Sequence, residues 1–184
     1  MGVYHFVLVH FPIALWIGAS LLIFLRVVND GAPGHVADRA LPVFLVGGCI
    51  LGLLTYLNGF QVWSWEALSA TPMGRNHTLT ATWSLVFYAL LMIVRLRHGD
   101  ALWHGVARWV MLVLSGVGAV FVGISGTLGG HLAGNVTPVG EVLRLLGWEI
   151  YTTYYVPTLT VVLLVGLGVV MDGLGLMTGR KSAS

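Results

Sequence analysis

Histidine is the residue in this chain best equipped for chemistry. Seven occur among 184 residues, and four of them, His5, His10, His77 and His131, lie within or at the ends of strongly apolar runs. A neutral imidazole can give a lone pair to haem iron, copper or zinc. An ionisable group in an apolar span usually faces the interior of a bundle and marks function. In the stretch "VYHFVLVHFPIALW", His5 and His10 are five residues apart. On a helix they point about 140° away from each other, so a single ligand set is expected to take one of them. Pro12 removes the backbone bond to Leu8 and is expected to bend the helix and fix the direction of His10. His10 lies deeper and reads as the ligand; His5 reads as an interfacial residue among headgroups.

These histidines need elements to hold them, and composition says which. The chain is 57% hydrophobic and only 9% charged, with a mean hydropathy of +0.89. Soluble domains carry about 25% charged residues. The chain is therefore expected to be an all-α integral membrane protein forming one transmembrane domain. Five apolar segments reach the roughly 20 residues needed to cross a bilayer: 3–28, 41–65, 72–96, 103–132 and 153–177. The first four make a four-helix bundle core over residues 3–132. Residues 133–152 make an interfacial segment, in which "GEVLRLLGWEIY" is amphipathic. The fifth segment is an added helix. Pro42 and Pro72 read as first-turn prolines, with Thr71 capping the third span.

Basic residues orient the bundle. Arg26, Arg39, Arg95, Arg97, Arg108, Arg180 and Lys181 fall at one set of ends, and Arg75 and Arg144 at the other. This bias predicts the N-terminus outside and the C-terminus inside. Trp63, Trp65, Trp148, Tyr151, Tyr154 and Tyr155 then form an outer aromatic belt. His5, His10, His77 and His131 gather at the outer depth, while His35, His98 and His104 lie at the inner loops. The single cysteine, Cys49, excludes a disulfide framework and a thiolate metal site. No cleavable leader is visible, so the first span is expected to direct its own insertion.

The second and fourth spans each carry a face of small residues. Gly48, Gly52, Thr55 and Gly59 mark one; Gly116, Ala119, Gly123, Gly126 and Gly130 mark the other. Close helix packing is the usual role of such faces. In an up-down bundle with short loops, spans one and three are diagonal, and so are two and four. His10 and His77 then face each other across one diagonal, and the glycine faces across the other. A flat macrocycle suits that arrangement. Haem b with His10 and His77 as axial ligands is the expected site, with His5 and His131 as alternates. Gly52, Gly59, Gly123 and Gly126 would make room for the ring. Arg75 would neutralise the propionates. Asn58, Gln61, Asn76 and Thr80 would orient the imidazoles.

Further stretches carry a resemblance. "HFVLVHFPIAL" resembles the first-helix pattern H-P-x-x-V-H-F-P-I of a bacterial membrane family, domain of unknown function 2231. "YLNGFQVW", "RNHTLTA" and "GTLGGHL" resemble its later motifs. The resemblance covers the first four spans. It implies a four-helix core in a bacterial cytoplasmic membrane, with relatives beside cytochrome-like domains, and it implies no particular activity. His10 and His77 match histidine positions of the family. Phe6, Gln61 and His131 depart from it, standing where proline, aspartate and glutamate are common.

The expected function is a haem b electron-transfer subunit of a respiratory or other redox complex. Its exchange partner at the outer side would be a quinol or a cytochrome c. Two alternatives stand beside it: copper or zinc held by His10, His77 and His131, and a cofactor-free accessory subunit. A transporter is disfavoured because Asp172, near an inner end, is the one acid well within a span. A stand-alone hydrolase is disfavoured because no nucleophile, base and orienting acid share a readable spacing.

Overall fold

A computed structural model describes residues 2–147 and 158–178, and within them every regular element is helical. The helices are α1 (Gly2–Val28), α2 (Ala32–Val62), α3 (Trp65–Ser69), α4 (Pro72–His98), α5 (Gly105–Leu132), α6 (Pro138–Leu145) and α7 (Thr158–Thr178), with a 3-10 turn at Gly99–Trp103. Four of them contain stretches long and apolar enough to cross a membrane. A helix satisfies its own backbone polar groups, which a bilayer cannot do for it. Large side chains such as Leu21, Val43, Leu54, Val113 and Val120 stand exposed on the outside of the bundle. That is the surface a lipid-facing bundle should present. α7 packs against α4, where Val86 occupies the space beside Gly168.

The four long helices form a ring. α1 packs on α2 and α5, and α4 packs on α5 and α2, so α1 and α4 are diagonal. The diagonal is bridged at its centre. The rings of Trp16 and Tyr88 stack with centroids 5.0 Å apart and planes 9° from parallel. The Tyr88 hydroxyl pairs with Ser20 Oγ at 2.7 Å, and Ser20 donates onward to the Ser115 carbonyl at 3.1 Å. Ala19, Ile23, Leu41, Leu45, Leu91 and Met111 fill the core around and beyond this pair.

One end of the bundle is tied by charge. Arg26 bonds Asp30 at 2.6 Å, and Arg108 reaches the same carboxylate at 3.5 Å and donates to the Val27 carbonyl. The hydrogen bond from Arg26 holds the Asp30 carboxyl below the usual carboxylate range. Asp38 accepts from Arg95 at 2.8 Å and from the Trp103 indole at 2.9 Å. The opposite end carries His5 and His77.

Several boundaries differ from the sequence reading. The second helix starts at Ala32 rather than residue 41, with Pro33 in its first turn and Pro42 inside it. The polar run "GHVADRA" looks like loop, but Asp38 is buried and paired across to α4, so the helix runs through it. Pro72 does open α4, and Thr71 caps it by accepting from Gly74 N at 3.0 Å. α1 continues through Pro12. The carbonyl of Leu8, which proline leaves without its usual donor, lies 3.5 Å from the hydroxyl of Thr55. Part of the interfacial segment forms α6, which exposes Val139, Val142 and Leu145. Trp148, Tyr151, Tyr154, Tyr155, Arg180 and Lys181 lie outside the described residues.

Candidate functional site: a histidine-lined cavity

At the histidine end the four helices enclose a cavity of about 400 Å³. That falls within the range of small-molecule sites, roughly 300–1,000 Å³. Its wall is mostly apolar, and its chief polar chemistry comes from His5 and His10 on α1 and His77 on α4. Trp16 of α1 and Leu68 of the short α3 also belong to the wall. α3 is positioned by its own cap, with Ser64 accepting from Ala67 N at 3.2 Å.

His77 is the best-positioned imidazole. Its Nδ1 lies 3.0 Å from the Ser125 carbonyl on α5. A carbonyl can only accept, so Nδ1 carries the proton and Nε2 keeps its lone pair. The ring lies against Gly129, where a Cβ would come 2.9 Å from Cε1. This is how proteins commonly prepare a histidine ligand, with one nitrogen anchored and the other presented.

The two α1 histidines exchange the places expected of them. His5 is buried, with 7% of its surface exposed. It meets the Trp63 ring edge-on at 5.9 Å and packs on Gly59, whose Cβ would come 3.2 Å from its Cε1. Its Nδ1 is buried without a well-formed hydrogen bond, although the side chain of Asn58, expected to orient an imidazole, does interact with this ring. His10 also lines the cavity, but its ring is exposed and its Nδ1 bonds the Phe6 carbonyl at 2.6 Å. Helix phase is the reason. His5, Pro12, Ala19 and Arg26 are all buried and recur every seven residues. They form the seam of α1, and His10 lies off it. The heptad Pro12–Ala19–Arg26 was the signal in the sequence that pointed back to His5.

The other expected site residues divide. Gly52 and Gly126 belong to the wall, as does Gly59. Gly123 does not; it is exposed, with open space where a Cβ would stand. The α2 glycine face does not oppose α5 across the core. Trp16 fills the space beside Gly48 and Gly52, and His5 fills that beside Gly59, so this face accommodates α1. Arg75 is not in the wall; its Nε donates to the Ser69 carbonyl at 2.5 Å, pinning α3 to α4. His131 is also outside the wall. It follows Gly129 by two positions, so its side chain leaves the helix about 200° around from the cavity-facing glycine. Among the described residues no three of His, Cys, Asp and Glu come together as a metal-holding group. The expected trio of His10, His77 and His131 is therefore not formed. Thr80 donates back to Asn76 and His77 carbonyls on its own helix, not to an imidazole.

A family of predicted membrane proteins, domain of unknown function 2231, matches residues 4–137. The chain belongs to this DUF2231 family. The match spans α1 to α5 and stops at the start of α6, so the four-helix ring and its cavity are the DUF2231 portion, while α6 and α7 lie beyond it. No curated protein and no solved structure matches the chain.

Proposed function

We propose that the protein holds a b-type haem in the cavity, between imidazoles from α1 and α4, and serves as an electron-transfer subunit of a larger redox complex. The observation that carries this reading is the anchoring of His77 Nδ1 on the Ser125 carbonyl, which presents Nε2 to an apolar cavity lined by further imidazoles. The donors fit the group: imidazole nitrogens, no carboxylate in the wall, and a buried His5 ring whose Nδ1 makes no well-formed hydrogen bond. When bound, haem supplies a one-electron couple. The chain's part is to fix the imidazoles and exclude water.

In this reading the cavity lies at the outer side of a bacterial cytoplasmic membrane with the N-terminus outside, an orientation that the excess of basic residues at the opposite end favours. α7, largely apolar from Thr158 to Thr178, then serves as a fifth span. A quinol in the outer leaflet or a cytochrome c at the surface would be the exchange partner. A reduced-minus-oxidised visible spectrum of the purified protein tests the reading. A sharp b-type band that His77→Ala removes is the expected result. A chain that binds no haem, on isolation or after haemin is added, overturns it. The reading as a cofactor-free accessory subunit would then stand, favoured by the way Trp16 fills the α2 glycine face.

A further inference from the structure

We infer that the four-helix core is one helical hairpin used twice about a two-fold axis, and that His5 and His77 are its equivalent pair and hold the bound group between them, with His10 outside the ligand set. The ligand assignment rests on the haem reading. The repeat itself rests on packing.

The spacing comes first. His5 and Trp16 on α1 are eleven residues apart, and so are His77 and Tyr88 on α4. Gly48 and Gly59 on α2 are eleven apart, and so are Gly118 and Gly129 on α5. One shift of 72 residues carries α1 onto α4, and one of 70 carries α2 onto α5.

Contacts repeat with the spacing. A Cβ on Gly59 would meet Cε1 of His5 at 3.2 Å, and one on Gly129 would meet Cε1 of His77 at 2.9 Å. A Cβ on Gly48 would meet the Trp16 ring at 2.7 Å, and one on Gly118 the Tyr88 ring at 3.1 Å. In each hairpin, then, the first helix lays an imidazole and a larger aromatic ring onto two glycines of the second. Fully buried positions correspond as well: Ala19 with Leu91, and Leu41 with Met111.

The two halves meet as a two-fold requires. Around such an axis each residue near the centre touches its own counterpart. Trp16 stacks on Tyr88 with planes 9° apart. Exchanging α1 with α4 and α2 with α5 also leaves the set of packed helix pairs unchanged. Both hairpins begin at the histidine end, so the axis runs along the bundle, as in parallel membrane repeats.

This symmetry selects the ligands. The counterpart of His10 is Thr82, whose hydroxyl pairs with Tyr56 at 2.8 Å and which carries no ligand nitrogen. The counterpart of His5 is His77. Two equivalent imidazoles facing one cavity suit a planar group with an open coordination position on each face, which an iron porphyrin provides.

The test uses the full chain loaded with haem, as isolated or reconstituted with haemin. The wild type should give a six-coordinate low-spin spectrum. His5→Ala and His77→Ala should each lose low-spin haem by about tenfold or more, and external imidazole should restore it in both. His10→Ala should retain it. His5→Gln, which keeps a polar side chain of similar reach, should behave as His5→Ala, and imidazole rescue shows that the cavity has formed. Loss in His10→Ala with retention in His5→Ala overturns the inference and leaves the haem reading intact. A wild type that binds no haem overturns the haem reading, and the ligand assignment with it.

Discussion

Gly129 of α5 lies against the imidazole of His77, close enough that a Cβ would come 2.9 Å from Cε1. The ring cannot retreat freely, because its Nδ1 is held by Ser125 one turn earlier on the same helix. Gly129→Val should therefore displace His77, destabilise the bundle by about 1–3 kcal/mol and weaken any group bound at Nε2. Gly123→Ala, with open space at its Cβ, should leave binding unchanged and gain up to about 1 kcal/mol of helix propensity. Paired thermal unfolding and ligand titrations in detergent check both. Equal behaviour of the two variants would overturn the packing assignment.

Asp38 sits at the other end of the molecule with a different kind of constraint. Its side chain is 8% exposed and that of Arg95 12%, and the Trp103 indole uses the same carboxylate oxygen. Asp38→Ala should cost up to about 3–5 kcal/mol, since it leaves the largely buried Arg95 guanidinium with the exposed and more distant Asp100 carboxylate, at 3.9 Å, as its ion pair. Asp38→Leu combined with Arg95→Leu should recover much of that loss. Unfolding midpoints in increasing denaturing detergent will measure the difference between single and double variants.

At the centre, Tyr88→Phe keeps the stacked ring and removes the hydroxyl that meets Ser20. The expected loss is about 1 kcal/mol. Trp16→Ala removes the ring itself and should cost about 3–5 kcal/mol. A Trp16→Ala protein as stable as the wild type would mean that the diagonal is not held by this pair.

Asp30 gives the chain a dependence on acid. Arg26 lowers its carboxyl in the folded state, so its stabilising contribution is present above the unfolded carboxylate value. It fades as pH falls through the lower, folded value. Asp30→Asn should thus differ from wild type at neutral pH and converge with it in strong acid. Thermal unfolding of both proteins across that range checks the sign, and a gap that widens on acidification would contradict it.

The sequence makes the class and the ring order legible, because hydropathy and short connections determine both. Four crossing helices, the Thr71 cap and the diagonal placement of α1 and α4 follow from local patterns. The start of α2 does not, since Asp38 becomes tolerable in a helix only through Arg95, 57 residues away. Depth along a span likewise misleads about the α1 histidines. His10 is deeper, yet the seam through Pro12, Ala19 and Arg26 decides which imidazole enters the core, and that seam selects His5. The small-residue faces are visible in the sequence, but not what fills them. Only packing shows that the α2 face holds Trp16 and His5.

The Trp16–Tyr88 stack also separates two media. On one side lies the cavity; on the other, Ala19, Ile23, Leu41, Leu45, Leu91 and Met111 are packed toward the charged end. A hydrated ion would have to part these side chains to cross, at the large cost of taking charge into hydrocarbon. On this packing the bundle core is expected to resist the passage of ions. A vesicle carrying the protein should sustain a proton gradient as long as one without it, whatever is bound at the histidine end.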